Sequence, residues 1–155
     1  MDLPRDCYQR ATAFVTDPAG RLLVFDHVGE PEAGTQVPAG GIHLGEAPVD
    51  AVRRELAEES GIADAEVVRK LGEAWRYADH GRVPVGLEEQ VQHVFHLRLD
   101  RPTAVDAWEW DECGDGDVPL HRFALRWVDL DVAAAELWPI QAMWIEPLRC
   151  SIARR

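Results

Sequence analysis

Gly40 to Ile62 reads GGIHLGEAPVDAVRRELAEESGI. Its second half, RELAEESGI, sets three glutamates within five residues, beside the adjacent arginines Arg53 and Arg54. Pro48 to Ser60 carries the marks of a helix: Pro48 suits the first turn, and Gly61 suits the left-handed position just past the end. On a wheel of about 100° per residue, Glu55, Glu58 and Glu59 share an arc of roughly 100°. Val49 and Leu56 lie beside that arc and anchor the helix, while Asp50, Arg53 and Ala57 lie opposite. Like charges three and four residues apart cost about 0.2–0.5 kcal/mol per pair on an exposed helix. Burial raises that cost or drives a proton onto one carboxylate. Something positive must offset it. Arg54, four residues before Glu58, is one candidate. A hard divalent cation with oxygen ligands, magnesium or manganese, is the other. Most charge runs are simply solvated faces, so the surrounding pattern has to decide.

Working outward, Gln36 to Pro38 reads as a short extended piece entering the glycines, and Gly29 to Thr35 as a loop. Before these, Gln9 to Val15 and Arg21 to Asp26 are predicted strands. Asp17-Pro18-Ala19-Gly20 supplies turn chemistry between them. After the helix, Val67 to Tyr77 is a predicted strand and Ala78 to Glu89 a loop. In Val91 to Leu99, VQHVFHLRL, the alternation puts Val91, His93, Phe95, Leu97 and Leu99 on one face of a strand. Ala104 to Trp110 and Arg122 to Val128 are two more strands, joined by the acidic loop DECGDGDVP. Asp129 or Asp131 caps a helix running to about Trp138, and Pro139 restarts one through Glu146. Hairpins mixed with two helical regions predict a mixed sheet with helices packed on it.

The 155 residues suit one domain spanning 1–155. A formal net charge of −12 argues against a nucleic-acid polymer as partner, because such partners want a basic face. It leaves small nucleotides open, since these arrive carrying a metal ion. No apolar run reaches the length of a membrane span, and MDLPRDCYQR lacks a signal peptide's apolar region. Cys7, Cys113 and Cys150 form no CxxC pair, so zinc is not expected, and a reduced, cytoplasmic setting is.

With its spacing written out, the central stretch is Gly40, five residues, Glu46, seven residues, then Arg54-Glu55-Leu56-Ala57-Glu58-Glu59-Ser60-Gly61-Ile62. This resembles the Nudix box, Gx5Ex7REUxEExGU with U aliphatic, at all nine specified positions. Chance would produce that match in roughly one sequence in ten million. The resemblance implies a Nudix-like α/β/α sandwich with a mixed β-sheet and a loop-helix-loop catalytic motif. It implies hydrolysis of a diphosphate bond with Mg2+ or Mn2+, in a nucleoside diphosphate linked to another group or in a nucleoside triphosphate. By position, Glu55, Glu58 and Glu59 carry the metal, and Glu55 also helps activate water. Arg54 orients Glu55. Glu46 sits near the metals or stabilises the loop. A carbonyl of Ala39 or Gly40 is a further ligand, Gly61 ends the helix, and Leu56 and Ile62 pack it down. A homodimer is common in the family. Two readings stand beside the hydrolase: a non-catalytic Nudix-fold nucleotide-binding or regulatory module, and an isoprenoid-type isomerase. The complete glutamate set disfavours both.

Outside the box, Glu112 is taken to approach the metals. Glu109, Asp111, Asp115, Asp117, Glu88 and Glu89 are rivals, and the GDGD run also reads as an ordinary solvated turn. Trp75, Tyr77 and His93 are candidates for substrate contact. The six tryptophans are expected mainly in the core, and His93, on an apolar strand face, equally suits a satisfied core histidine. One departure is visible: Gln36-Val37 stands where many relatives carry an aromatic residue before the proline, which bears on the substrate pocket.

Overall fold

The computed structural model describes residues 7–77, 89–112 and 121–154. Of the sequence expectations, the loop carboxylates Asp115, Asp117 and Glu88, the side chains of Tyr77 and Glu89, and nearly all of the 78–89 loop lie outside the described residues.

Among the described residues, seven strands form one sheet: β1 (Cys7–Thr16), β2 (Leu22–His27), β3 (Ala39–Gly41), β4 (Glu66–Tyr77), β5 (Glu89–Arg98), β6 (Ala107–Asp111) and β7 (Arg122–Val128). Their order is β4-β5-β1-β2-β7-β6, with β3 also paired to β1. β1 and β5 run parallel, and the other pairs are antiparallel, so the sheet is mixed. The α-helices among the described residues are α1 (Pro48–Ser60), α2 (Leu130–Glu136), α3 (Pro139–Ala142) and α4 (Ile145–Ala153).

The central strands are buried on both sides, which gives two cores. Ala11, Ala13, Val15, Leu23, Phe25, Phe95, Leu97, Leu125 and Trp127 pack with Ala51, Val52 and Leu56 of α1. Phe14, Leu22, Val24 and Val94 pack with Ala133, Leu137, Ile145 and Leu148 of the C-terminal helices. The period-two alternation of each strand divides its residues between the two layers. This is the expected three-layer arrangement.

Several boundaries differ from the sequence reading. The short extended piece lies at Ala39–Gly41 itself, because the glycines pair with β1 and do not merely follow a strand. Residues 104–106 precede β6 as bends. The last helix does not stop at Glu146. The chain breaks after α3 and restarts as α4, with Trp144 as its N-cap. Pro147 then falls in the first turn, where no intrahelical N–H is needed, and does not terminate the helix. The tryptophans are not mainly core: Trp127 and Trp144 are buried, whereas Trp75, Trp110 and Trp138 are 52%, 38% and 43% exposed.

Candidate active site

α1 starts at Pro48, with Ala47 as an N-cap that offers no side-chain bond. It ends at Gly61, whose φ of +81° is the left-handed conformation that closes a helix. Ala51, Val52 and Leu56 fix its core face. The adjoining buried residues include Glu55 and Glu59. Packing thus draws two carboxylates under the helix, against the β3 turn.

Gly40 lies directly against this pair. A Cβ built at Gly40 would stand 2.0 Å from Glu55 Cδ, so only glycine lets the backbone come this close. The β1–β3 ladder sets which backbone groups face the carboxylates. Ile42 donates to Gln9 O at 2.9 Å and Ala13 to Pro38 O at 2.8 Å, while Gly40 stands opposite Ala11. Antiparallel alternation therefore gives Gly40's N–H and C=O to β1 and turns those of Ala39 and Gly41 away from it. Accordingly, Ala39 N–H donates to Glu59 Oε2 at 3.3 Å, and Gly41 O accepts from Arg54 Nη2 at 2.8 Å.

Arg54 is the hub of the loop-helix junction. Its Nε and Nη2 hold Glu46 at 2.8 and 2.9 Å, and its Nη1 reaches Glu55 at 2.8 Å and Glu58 at 3.2 Å. Glu46 also accepts from the His43 N–H at 3.0 Å. The guanidinium holds the Glu46 carboxyl far below its ordinary range, at about 2. Glu46 is thus bound to Arg54, and Glu58 sits on the Arg54 side of α1.

The third carboxylate of the centre is Glu112, just past β6, where its N–H donates to His121 O at 2.8 Å. One carboxylate oxygen from each of Glu55, Glu59 and Glu112 lies within 4.8 Å of the others. Their electrostatics are those of crowding. Burial raises Glu55's proton affinity against the pull of Arg54. Burial first, then the charges of Glu55 and Glu112, drive Glu59 well above the ordinary range. Burial also raises Glu112, with His121 opposing. Such a cluster keeps protons or takes a cation. Three hard oxygens, with a backbone carbonyl available at Ala39, suit a hard divalent ion. The acidic cluster can hold a metal.

A cavity of about 310 Å³ opens on these groups. Its far wall is Phe25, His27, His121 and Phe123, and Arg10 adds a cation. The rings touch in a chain: Phe25 and Phe123 are tilted with centroids 4.4 Å apart, and His27 meets Phe123 edge-on at 4.9 Å. Sequence reasoning missed Arg10 and this wall. The pairing of β2 with β7, which sets His27 opposite Phe123, joins residues about a hundred positions apart, and no local pattern announces it.

The other candidates lie away from the cavity. His93 is buried between Lys70 Nζ at 2.8 Å and Gln9 Oε1 at 2.9 Å, a satisfied core histidine. Trp75 stands on the edge strand β4 and does not line the cavity. Glu109 and Asp111 pair with Arg122 at 3.0 and 2.8 Å.

The NUDIX domain profile matches residues 8–147. The chain belongs to the NUDIX domain family. An RNA pyrophosphohydrolase of Psychrobacter cryohalolentis is 35% identical over 94 residues, covering 48% of this chain and 54% of that protein. The chain thus spans about half the length of such relatives. The E. coli dihydroneopterin triphosphate pyrophosphohydrolase superposes with a TM-score of 0.70 at 18% identity, over 94% of this chain and 96% of that one. A C. elegans Ap4A hydrolase gives 0.66 at 16%, over 94% and 98%. These two likenesses establish a Nudix fold. Among the described residues, no helix is long and apolar enough to cross a membrane.

Proposed function

We propose that this Nudix chain hydrolyses a diphosphate bond in a small nucleotide-type substrate, by attack of water at phosphorus with Mg2+ or Mn2+ as cofactor. The observation that carries the reading is the trio Glu55, Glu59 and Glu112, gathered within 4.8 Å on one cavity. Glu55, Glu59 and Glu112 hold the cation, with the Ala39 carbonyl, which the ladder leaves free, in preference to that of Gly40. Glu58 adds charge from the rim. When bound, the ion neutralises the anhydride oxygens and lowers the pKa of a bound water. Arg54 fixes the Glu55 rotamer and keeps Glu46 out of the ligand set. Arg10, facing the carboxylates across the cavity, draws in a phosphate oxygen. Phe25, His27 and Phe123 offer an aromatic wall to the rest of the substrate.

The named relatives and neighbours act on different molecules that share a phosphoanhydride, so they support the reaction class and leave the substrate open. A chain of net charge −12 repels a polyanion, which favours a free nucleotide over an RNA end; the cysteines without a CxxC pair suit a reduced, cytoplasmic setting. Phosphorus NMR on a panel of nucleotide diphosphates, dinucleoside polyphosphates and a 5′-triphosphorylated RNA, with magnesium, manganese or EDTA, tests both parts. Metal-dependent cleavage of small members, lost with Glu59→Gln, is expected. No cleavage anywhere on the panel would return the chain to the binding-module reading. Faster cleavage of RNA would overturn the substrate choice alone.

A further inference from the structure

On the other face of the sheet, α4 covers a second and separate set of hollows. A cavity of about 200 Å³ lies between β4 and α4, walled by Arg69, Lys70, Pro147, Ser151 and Arg154. It adjoins a larger one, of about 620 Å³, through the shared Ser151. The chain has 28 acidic residues against 16 Lys and Arg, yet among the described residues no carboxylate lines the smaller cavity. Lys70 is neutralised by Glu73 at 2.5 Å. Arg69 and Arg154 have no carboxylate partner among the described residues. Arg69 Nε is moreover buried with no hydrogen-bond partner, and Nη2 makes one long bond, 3.4 Å, to the Arg154 carbonyl.

The strand is shaped to place this guanidinium. Register shifts flank Arg69 on both sides, between Val67 and Arg69 and between Lys70 and Gly72, leaving Arg69 opposite His96. Bulges of this kind re-aim side chains and are retained features. His96, opposite Arg69, is held down to about 4, by burial first and then by Arg98 and Arg69. A buried water could satisfy the lone Nε, but it would leave two uncompensated guanidiniums sharing one hollow. An oxyanion does both, and the planar fork of arginine matches it. Cavities for whole small molecules run to about 300–1,000 Å³, so this one encloses a single tetrahedral group, free or at the end of a larger molecule whose remainder stays outside.

We propose that Arg69 and Arg154 form a binding site for a phosphate-type oxyanion in the cleft between β4 and α4, apart from the carboxylate cluster. The occupant is orthophosphate or the phosphate of a phosphomonoester. Calorimetric titration of the full chain in EDTA, with inorganic phosphate and then with AMP, tests it. One saturable phosphate site is expected, weakened roughly tenfold or more by Arg69→Gln and also by Arg154→Gln at the exposed helix end. It should be retained in Glu59→Gln, with melting temperature and near-UV circular dichroism showing each variant folded. Competition by AMP would assign the site to phosphomonoesters, and its failure to free orthophosphate. Absence of saturable phosphate binding, or equal affinity in both arginine variants, would overturn the proposal.

Discussion

At the scale of single residues, the centre depends on one missing side chain and one shared cation. Gly40 leaves no room for a Cβ beside Glu55. Gly40→Ala therefore displaces that carboxylate, and kcat/KM should fall on the order of 100-fold, as misplaced reacting groups do. Steady-state rates unchanged by the substitution would contradict the packing argument. The carboxylates also make opposite contributions to stability. Glu46, held at about 2 against an ordinary 4.5, stabilises the fold above its unfolded value, and that stability is lost as pH falls through about 2. Glu59 is raised, so its contribution is full below about 4.5 and is lost as pH rises through its folded value. Metal-free protein should thus be strained at neutral pH. Glu59→Gln should raise its melting temperature at pH 7.5, by about 2–4 °C for each 1 kcal/mol relieved, while abolishing turnover. A metal-free melting temperature lowered by Glu59→Gln would show that the crowding is not a strain.

At the scale of elements, β6 braces the end of α1 that carries the glutamates. Trp108 Nε1 donates to Ser60 O at 3.0 Å and Trp110 Nε1 to Glu58 O at 3.1 Å, two carbonyls that a helix end leaves unpaired. Trp110→Phe keeps most of the ring and removes the donor, so it should cost about 0.5–1.5 kcal/mol in urea unfolding; no change in midpoint would remove the brace. This use of tryptophan explains why the core expectation failed. Trp138 likewise donates to Ala33 O at 2.8 Å from an exposed position. The partners lie tens of residues away, so the sequence displays the apolar bulk and hides the N–H bond. α1 itself was legible, because Pro48, the Glu55/Glu59 spacing and Gly61 are all local signals. The parallel pairing of β1 with β5 was not, nor was β3, whose glycines carry no strand signal and are extended only by virtue of their neighbour. α4 was obscured by Pro147, whose meaning depends on where the helix begins.

At the scale of the whole molecule, three distant segments build one site: β3, the helix α1 and Glu112 beyond β6. Glu55 and Glu59 could be assigned from spacing, while the position of Glu112 depended on how β6 and β7 pair. The far wall, from His27 to Phe123, is a product of the sheet order alone. The surface charge acts on the site as a field. With substrate supplied as its magnesium complex, kcat/KM should rise as ionic strength goes from about 0.01 to 0.15 M, where the screening length shrinks from about 30 to 8 Å; a steep fall would mean that attraction and not repulsion governs encounter. We propose that Glu55, Glu59 and Glu112, brought within 4.8 Å of one another, form a metal centre. Electron paramagnetic resonance of Mn2+ binding tests it most directly, in wild type and in Glu58→Gln, Glu59→Gln and Glu112→Gln. Losses of roughly 10–100-fold or more in affinity are expected for Glu59→Gln and Glu112→Gln, and a smaller loss for Glu58→Gln. Affinity indifferent to Glu59 and Glu112 would contradict it.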